Sequence, residues 1–227
     1  MNILAIDTTS REGSVALLCG DGELFTRSGD DSETYSSRLF RWLQEIKARR
    51  GNTFENLDAV AITVGPGSFT GMRIGVAAAK GISLASGCPL LPFSTLEAMA
   101  LAAGDGPALR RPLLLAGRGE IYTAMFRFEN GVLSPGSDEI VTQPDRLESD
   151  SAGEKVLFFG NGLALCKNRL EGFGTADVEL RDGHPLLAPA MAAAAPERLL
   201  AGAGVKPADL VMNYIRLSDA EELKKRN

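Results

Sequence analysis

Apolar positions recur along this chain in two rhythms. Asn2 to Asp7 ("NILAID"), Gly13 to Leu18 ("GSVALL") and Glu23 to Ser28 ("ELFTRS") are short runs punctuated by the turn-forming stretches "SREG" and "CGDGE", which predicts an antiparallel three-strand meander. Beyond the polar loop "GDDSE", Tyr35, Leu39, Trp42, Leu43 and Ile46 fall at spacings of three and four, the stripe of an amphipathic helix. Phe40 lies about 140° around from Tyr35 at 100° per residue, off that stripe. The β-branched run "DAVAITV", Asp58 to Val64, suits a central strand buried on both faces. A second helix is predicted from Thr70 to about Gly87, then a strand "PLLPF". A third helix opens at Ser94, with Glu97 three residues on as a capping box.

The stretch "AGDGPALRRP" is the best linker candidate, placing an amino-terminal lobe at residues 1–105 and a carboxy-terminal lobe at 106–227. In the latter, "PLLLAG", "EIYTAMFRFENG", "VLSPGSDEIV" and "KVLFFG" read as strands and "NGLALCKNRLEG" as a helix. "PLLAPAMAAAAPERLLAGA" reads as an alanine-rich segment broken by Pro189 and Pro196. The tail "DAEELKKRN" is expected to fray. The order of elements predicts an α/β protein with mixed sheets flanked by helices in two lobes.

Composition narrows the function. Of 227 residues 44% are hydrophobic and 23% charged, the balance of an ordinary folded protein. No apolar run approaches the roughly 18 residues of a membrane span, and "MNILAIDTTS" carries no basic leader, so a cytoplasmic chain without membrane contact is expected. The net charge of −5 offers no global basic surface for a phosphate backbone, so any service to nucleic acid is expected to be indirect. The three cysteines lie outside any CxxC pair, and the single histidine, His184, excludes motifs that need two, such as HExxH. No metal and no cofactor are expected.

"GPGSFTG", Gly65 to Gly71, is the strongest local feature. Gly65, Pro66 and Gly67 permit a sharp turn, and Ser68 or Thr70 can cap the helix that follows, leaving a helix amino terminus available to an anion. The phosphate-loop pattern GxxxxGK[ST] is not met, because Met72 and Arg73 follow Gly71. The nucleophile pattern GxSxG is interrupted by Pro66 and Phe69. "DTTS", with Asp7, Thr8 and Thr9 at the end of the first strand, fits either an ordinary Asx turn or a turn whose amides face a phosphate. Within the second helix Gly71, Gly75, Ala79, Ser83 and Gly87 recur every four residues. Each interior glycine costs about 0.5–1 kcal/mol relative to alanine, so close packing is expected along this face. Its counterpart is either another protein's helix or the chain's own sheet, and the opposite face with Ile74, Ala78, Ile82 and Ala85 is the alternative surface for the latter role.

"ILAIDTTSREGSVALL", "GPGSFTGMRIGVAAAKGISLA", "STLEAMA" and "GRGEIYTAMF" together resemble the bacterial TsaB family, in order and across roughly the first 130 residues. The resemblance implies an actin-like ATPase (ribonuclease H-like) fold and a role in making threonylcarbamoyladenosine in tRNA. The family is a non-catalytic paralogue of the transferase TsaD and was formerly grouped with glycoproteases. In TsaD a histidine pair holds the metal, a pair this sequence cannot provide. The partners implied are TsaD, TsaE in a larger complex, and a second copy through the same helices when TsaD is absent, with tRNA reached only indirectly. The implied partner surface maps onto Tyr35, Leu39, Phe40 and Leu43 of the first long helix and onto Gly71, Met72, Arg73, Gly75, Ala79 and Ser83 of the second.

Several positions depart from the family pattern. Tyr35 stands where many members have histidine, Ala116 and Gly117 replace Asp-Ala before Arg118, and Met212 occupies a common proline position. Two other classes compete with the scaffold reading. One is an actin-fold ATPase or phosphotransferase using Asp7, Thr8 and Thr9 with Gly65 and Gly67 as nucleotide-proximal residues. The other is a protease, for which the sequence supplies neither a triad nor a metal pair.

Overall fold

A computed structural model describes residues 1–29, 34–49, 54–148, 153–173 and 178–215. The elements follow in the order β1 (Ile3–Asp7), β2 (Ser14–Leu18), β3 (Leu24–Ser28), α1 (Tyr35–Ala48), β4 (Ala59–Thr63), α2 (Phe69–Ser86), β5 (Leu90–Phe93) and α3 (Thr95–Ala102). There follow β6 (Leu109–Gly117), β7 (Glu120–Thr123), β8 (Phe126–Glu129), β9 (Val132–Pro135), β10 (Ile140–Thr142), β11 (Val156–Phe159), α4 (Leu163–Glu171), β12 (Val178–Arg181) and α5 (Leu187–Leu200). A 3-10 turn lies at Pro144–Arg146. The charged segment from Asp219 and most of the "GDDSE" loop lie outside the described residues.

The first sheet has the order β3-β2-β1-β4-β5, the second β10-β7-β6-β11-β12 with β8 and β9 extending from β6. In each, a meander of antiparallel strands leads into parallel neighbours: β1 pairs antiparallel with β2 and parallel with β4, and β6 does the same with β7 and β11. The same strand order thus occurs twice, with mixed sheets flanked by helices, as the ribonuclease H-like expectation requires.

Two compact units divide the chain differently from the expected lobes. The first comprises residues 1–98 and 186–213; the second comprises 99–185 and resumes at Tyr214. The boundary falls inside α3, and "AGDGPALRRP" is no linker, because its second half is the start of β6. Buried Arg110 explains this: its guanidinium donates to the Ala100 and Gly104 carbonyls at 2.6 and 2.8 Å and lies 3.9 Å over the Phe128 ring. A charge that a linker would leave in water instead satisfies orphan carbonyls at the end of α3.

In the first unit, alternation along the strands sends Leu4, Ile6, Val15, Leu17, Val60 and Ile62 into one apolar cluster, which also contains Leu39, Trp42, Leu43 and Ile46 of α1 with Val76 and Ala79 of α2. The strand neighbours on the opposite face are small: Ala5, Ser14, Ala16, Ala59 and Ala61. This face receives α5, whose own buried side is Leu187, Ala188, Met191, Ala192 and Ala195. Alanine on both sides lets helix and sheet approach closely, and Ser14 Oγ accepts from the Ala188 amide at 3.1 Å. The two prolines expected to break this segment do not. Pro189 sits in the first turn, where its missing N–H has no intrahelical partner to lose, and Pro196 is carried inside a continuous helix. The second unit has a separate cluster centred on Leu113, Ile121, Leu147, Phe158, Cys166 and Leu170. Here β12, unassigned from sequence, pairs parallel with β11.

Candidate partner interface

The first candidate is the turn that joins β4 to α2. Gly65 and Gly67 have φ of 108° and 153°, and the Gly65–Pro66 peptide is cis. A Cβ at Gly67 would stand 2.6 Å from the Thr9 carbonyl oxygen, so the turn lies directly on the residues after β1. Asp7 is buried, and its Oδ1 accepts from the Thr9 amide (3.0 Å), the Thr9 hydroxyl (2.6 Å) and the Thr63 hydroxyl (3.0 Å). The Ser68 amide donates to the Thr9 carbonyl at 2.8 Å, the Thr8 hydroxyl to the Gly71 carbonyl at 2.7 Å, and the Gly71 amide to the Ser68 hydroxyl at 3.1 Å.

These bonds engage three of the turn's amides and three of its hydroxyls within the chain. An anion site requires backbone amides pointing into open space, whereas the amides of Thr9, Ser68 and Gly71 all have acceptors within the chain. The Ser68 hydroxyl is the N-cap of α2. The structure therefore brings Asp7, Thr8, Thr9, Gly65 and Gly67 together, as a closed hydrogen-bonded knot.

The same contacts decide which way α2 faces. A Cβ on Gly71 would overlap the Thr8 carbonyl oxygen, and one on Gly75 would overlap the Thr8 hydroxyl. Ala79 and Ser83 are buried, and Ser83 donates to the Cys88 carbonyl. The four-residue stripe is thus packed inside the chain's own first unit, Gly71 and Gly75 against Thr8 after β1, Ala79 in the core cluster and Ser83 against Cys88. This corrects the placing of Gly71, Met72, Gly75, Ala79 and Ser83 on a partner surface. Leu39, fully buried in the core, leaves that surface as well.

The opposite face of α2 is open. With Ile74, Ala77, Ala78, Gly81 and Ile82 it forms one wall of a groove of about 520 Å³, and Ser36, Phe40 and Leu43 of α1 form the other. Leu43 is its buried floor, whereas Phe40 is 58% exposed. Phe40, off the apolar stripe in sequence, is the groove's large aromatic. Tyr35 is half-buried beside Arg38, whose guanidinium lies 5.2 Å from its ring, and exposed Arg73 stacks 3.8 Å over the Phe69 ring. Among the described residues, nothing lies within 4 Å of the place a Gly81 Cβ would occupy. Ala77, Gly81 and Ala85 form a second small-residue row, all exposed. Sequence reasoning passed over Ala77 and Gly81, although their four-residue spacing was visible. The distinguishing signal was position, since Gly71 and Gly75 directly follow the turn that must cross the end of β1.

No group of three or more His, Cys, Asp or Glu able to hold a metal occurs among the described residues, and none of their helices is long and apolar enough to cross a membrane. Burial raises the Cys88 thiol above its ordinary range and pushes Cys166 up to about 11, which keeps both protonated near neutrality.

A family model described as TsaD, tRNA N6-adenosine threonylcarbamoyltransferase, matches residues 30–210. The chain is 30% identical to the tRNA threonylcarbamoyladenosine biosynthesis protein TsaB of Bacillus subtilis, over 97% of this chain and 96% of that one. It is 36% identical to TsaB of Escherichia coli, over 82% and 81% of the two chains. Among solved structures it superposes with a TM-score of 0.83 on an uncharacterized Pseudomonas aeruginosa protein described as similar to the peptidase YeaZ, at 25% identity over 95% of this chain and 99% of that one.

Proposed function

This chain belongs to the TsaB family, and from that premise we propose that it is a non-catalytic subunit of the machinery that makes threonylcarbamoyladenosine in tRNA, binding and supporting the transferase TsaD through the α1–α2 groove. TsaE is a further partner in the larger complex, and a second copy of this chain uses the same groove when TsaD is absent.

The observation that carries this reading is Gly81. A glycine inside a helix costs about 0.5–1 kcal/mol relative to alanine. At Gly71 and Gly75 the chain's own Thr8 accounts for the missing side chain. At Gly81 nothing among the described residues does, so the helix is kept thin for a surface that approaches from outside. Phe40 and the aliphatic walls supply the attraction, since full burial of a phenylalanine contributes about 1.5–3 kcal/mol. The knot around Asp7 uses its Oδ1 and the hydroxyls of Thr8, Thr9 and Thr63 to hold the turn, which fits a structural part for these residues.

The test is capture of TsaD by the immobilised full-length chain, paired with assay of the tRNA modification in a reconstituted system with and without it. Capture together with loss of modification on omission is expected. Modification that proceeds equally well without this chain removes the proposal.

A further inference from the structure

We propose that the segment from Gly204 to Asn213 is a releasable strap that holds α2 in place and so keeps the α1–α2 groove in the shape that docks a partner; this rests on the docking role given above. The segment leaves α5 and runs along the outer edge of the first sheet. It begins with Gly204 against Pro89, where a Cβ would stand 2.9 Å from the proline Cβ, just past the end of α2. Val205 and Leu90 then exchange both backbone hydrogen bonds, at 2.8 and 2.9 Å, so an isolated antiparallel bridge covers β5, otherwise an open edge. Midway, the Leu210 carbonyl accepts from Lys80 Nζ on α2 at 3.4 Å. At the far end the Asn213 amide donates to the Val64 carbonyl at 2.7 Å. Gly65 there is flanked by the Asn213 carbonyl and by Met72 of the first turn of α2, each 2.6 Å from where its Cβ would be.

The strap therefore meets α2 beyond its last turn, at its middle and beside its first turn. Leu210 is buried in the cluster that holds Val76 and Ala79, and Val205 packs against it together with Ile74, Ala78 and Ile82. Those last three residues are also the groove wall. The wall and the strap thus share one apolar contact network, and loosening the strap loosens the wall.

Its attachment is slender. Between Gly204 and Asn213 there is no helix or strand, and Leu210 is its one buried side chain. Segments with few buried contacts open at the low end of a protein's local stability, independently of global unfolding. A partner that binds only the strapped form would stabilise the strap in turn, because coupling between two equilibria is reciprocal.

The experiment is amide hydrogen exchange read by mass spectrometry on the full chain, for the native protein and Val205→Pro, which removes the donor to Leu90. Amides from Ala79 to Ser86 are expected to exchange about tenfold faster in the variant, the size of losing one or two buried hydrogen bonds. Those of β1 and β2 should keep their native rates, and capture of TsaD should weaken in parallel. If the Leu90 and Asn213 amides become labile while Ala79 to Ser86 exchange at the native rate, or if capture is undiminished, the strap does not set the groove. Should Val205→Pro fail to fold, Gly204→Ala, which wedges the strap off Pro89, carries the same comparison. A native chain that captures no TsaD sinks the docking role, and the exchange rates then judge the strap alone.

Discussion

Two substitutions at Gly81 separate what α2 needs for its own fold from what it keeps for a partner. The position lies mid-helix, exposed, with empty space around the missing Cβ. Gly81→Ala is expected to stabilise the isolated chain by about 0.5–1 kcal/mol through helix propensity alone. For a protein of this size that corresponds to a rise in Tm of roughly 1–4 °C, measurable by circular dichroism. Gly81→Leu carries a similar propensity gain and adds a branched side chain to the groove. The monomer should melt no lower than native, while a close helix contact is overfilled at a cost of about 1–3 kcal/mol, or roughly 5–150-fold in Kd. Surface plasmon resonance against immobilised TsaD reads the second number. A destabilised Gly81→Ala would show that the space is not open. A Gly81→Leu chain that binds TsaD with native affinity would refute the groove as the docking face.

The buried stripe gives the opposite result. Gly75→Leu drives a side chain into Thr8 and is expected to lower stability by at least about 1–3 kcal/mol, seen as a lower urea midpoint; native stability would mean the helix lies further from β1 than described. Asp7→Ala leaves the hydroxyls of Thr9 and Thr63 and the Thr9 amide without their acceptor, at about 1–3 kcal/mol for each buried group. Neither the native chain nor this variant should turn over magnesium-ATP, and turnover by the native chain that vanishes in Asp7→Ala would restore the ATPase reading. Cys166, its thiol pushed up to about 11 against an ordinary value of 9.0, should resist iodoacetamide in the folded chain at pH 8, as followed by peptide mass spectrometry. Because the folded state holds this proton longer than the unfolded state, the contribution of Cys166 to stability is intact below pH 9 and is lost as pH rises toward 11. A stability that climbs over that interval in native but not in Cys166→Ala protein would contradict the assignment.

Strand positions in the first sheet were legible because period-two burial on a sheet covered on both faces leaves unambiguous apolar runs, and the observed ends fall within a residue or two of those expected. The orientation of α2 was not. Gly71, Gly75, Ala79 and Ser83 form as clean a row as Ala77, Gly81 and Ala85, and spacing alone carries no sign for inside or outside. Thr8, some 63 residues away in sequence, supplies that sign through its bond to the Gly71 carbonyl. Arg110 and Arg111 read as linker because charge usually means water; the carbonyls that receive Arg110 become available only once α3 ends beside β6, and those groups that receive Arg111, the Thr123 hydroxyl and the Glu148 carbonyl, come later still in the chain. The alanines of α5 looked like a weak, proline-broken tract for the same reason, since their partner face on β1, β2 and β4 lies more than a hundred residues earlier in the chain.

That long separation imposes an order of events during synthesis. All five strands of the first sheet have left the ribosome by Phe93, yet the helix that covers their alanine-lined face ends at Leu200. At about 5–20 residues per second the interval is on the order of 5–20 s. For that time a nascent chain carries a paired sheet with one bare apolar side, while residues 99–185, the larger part of the second unit, are made. A nascent chain stalled near residue 185 should therefore be held by chaperones that grip exposed apolar surface, and one released past residue 213 should not.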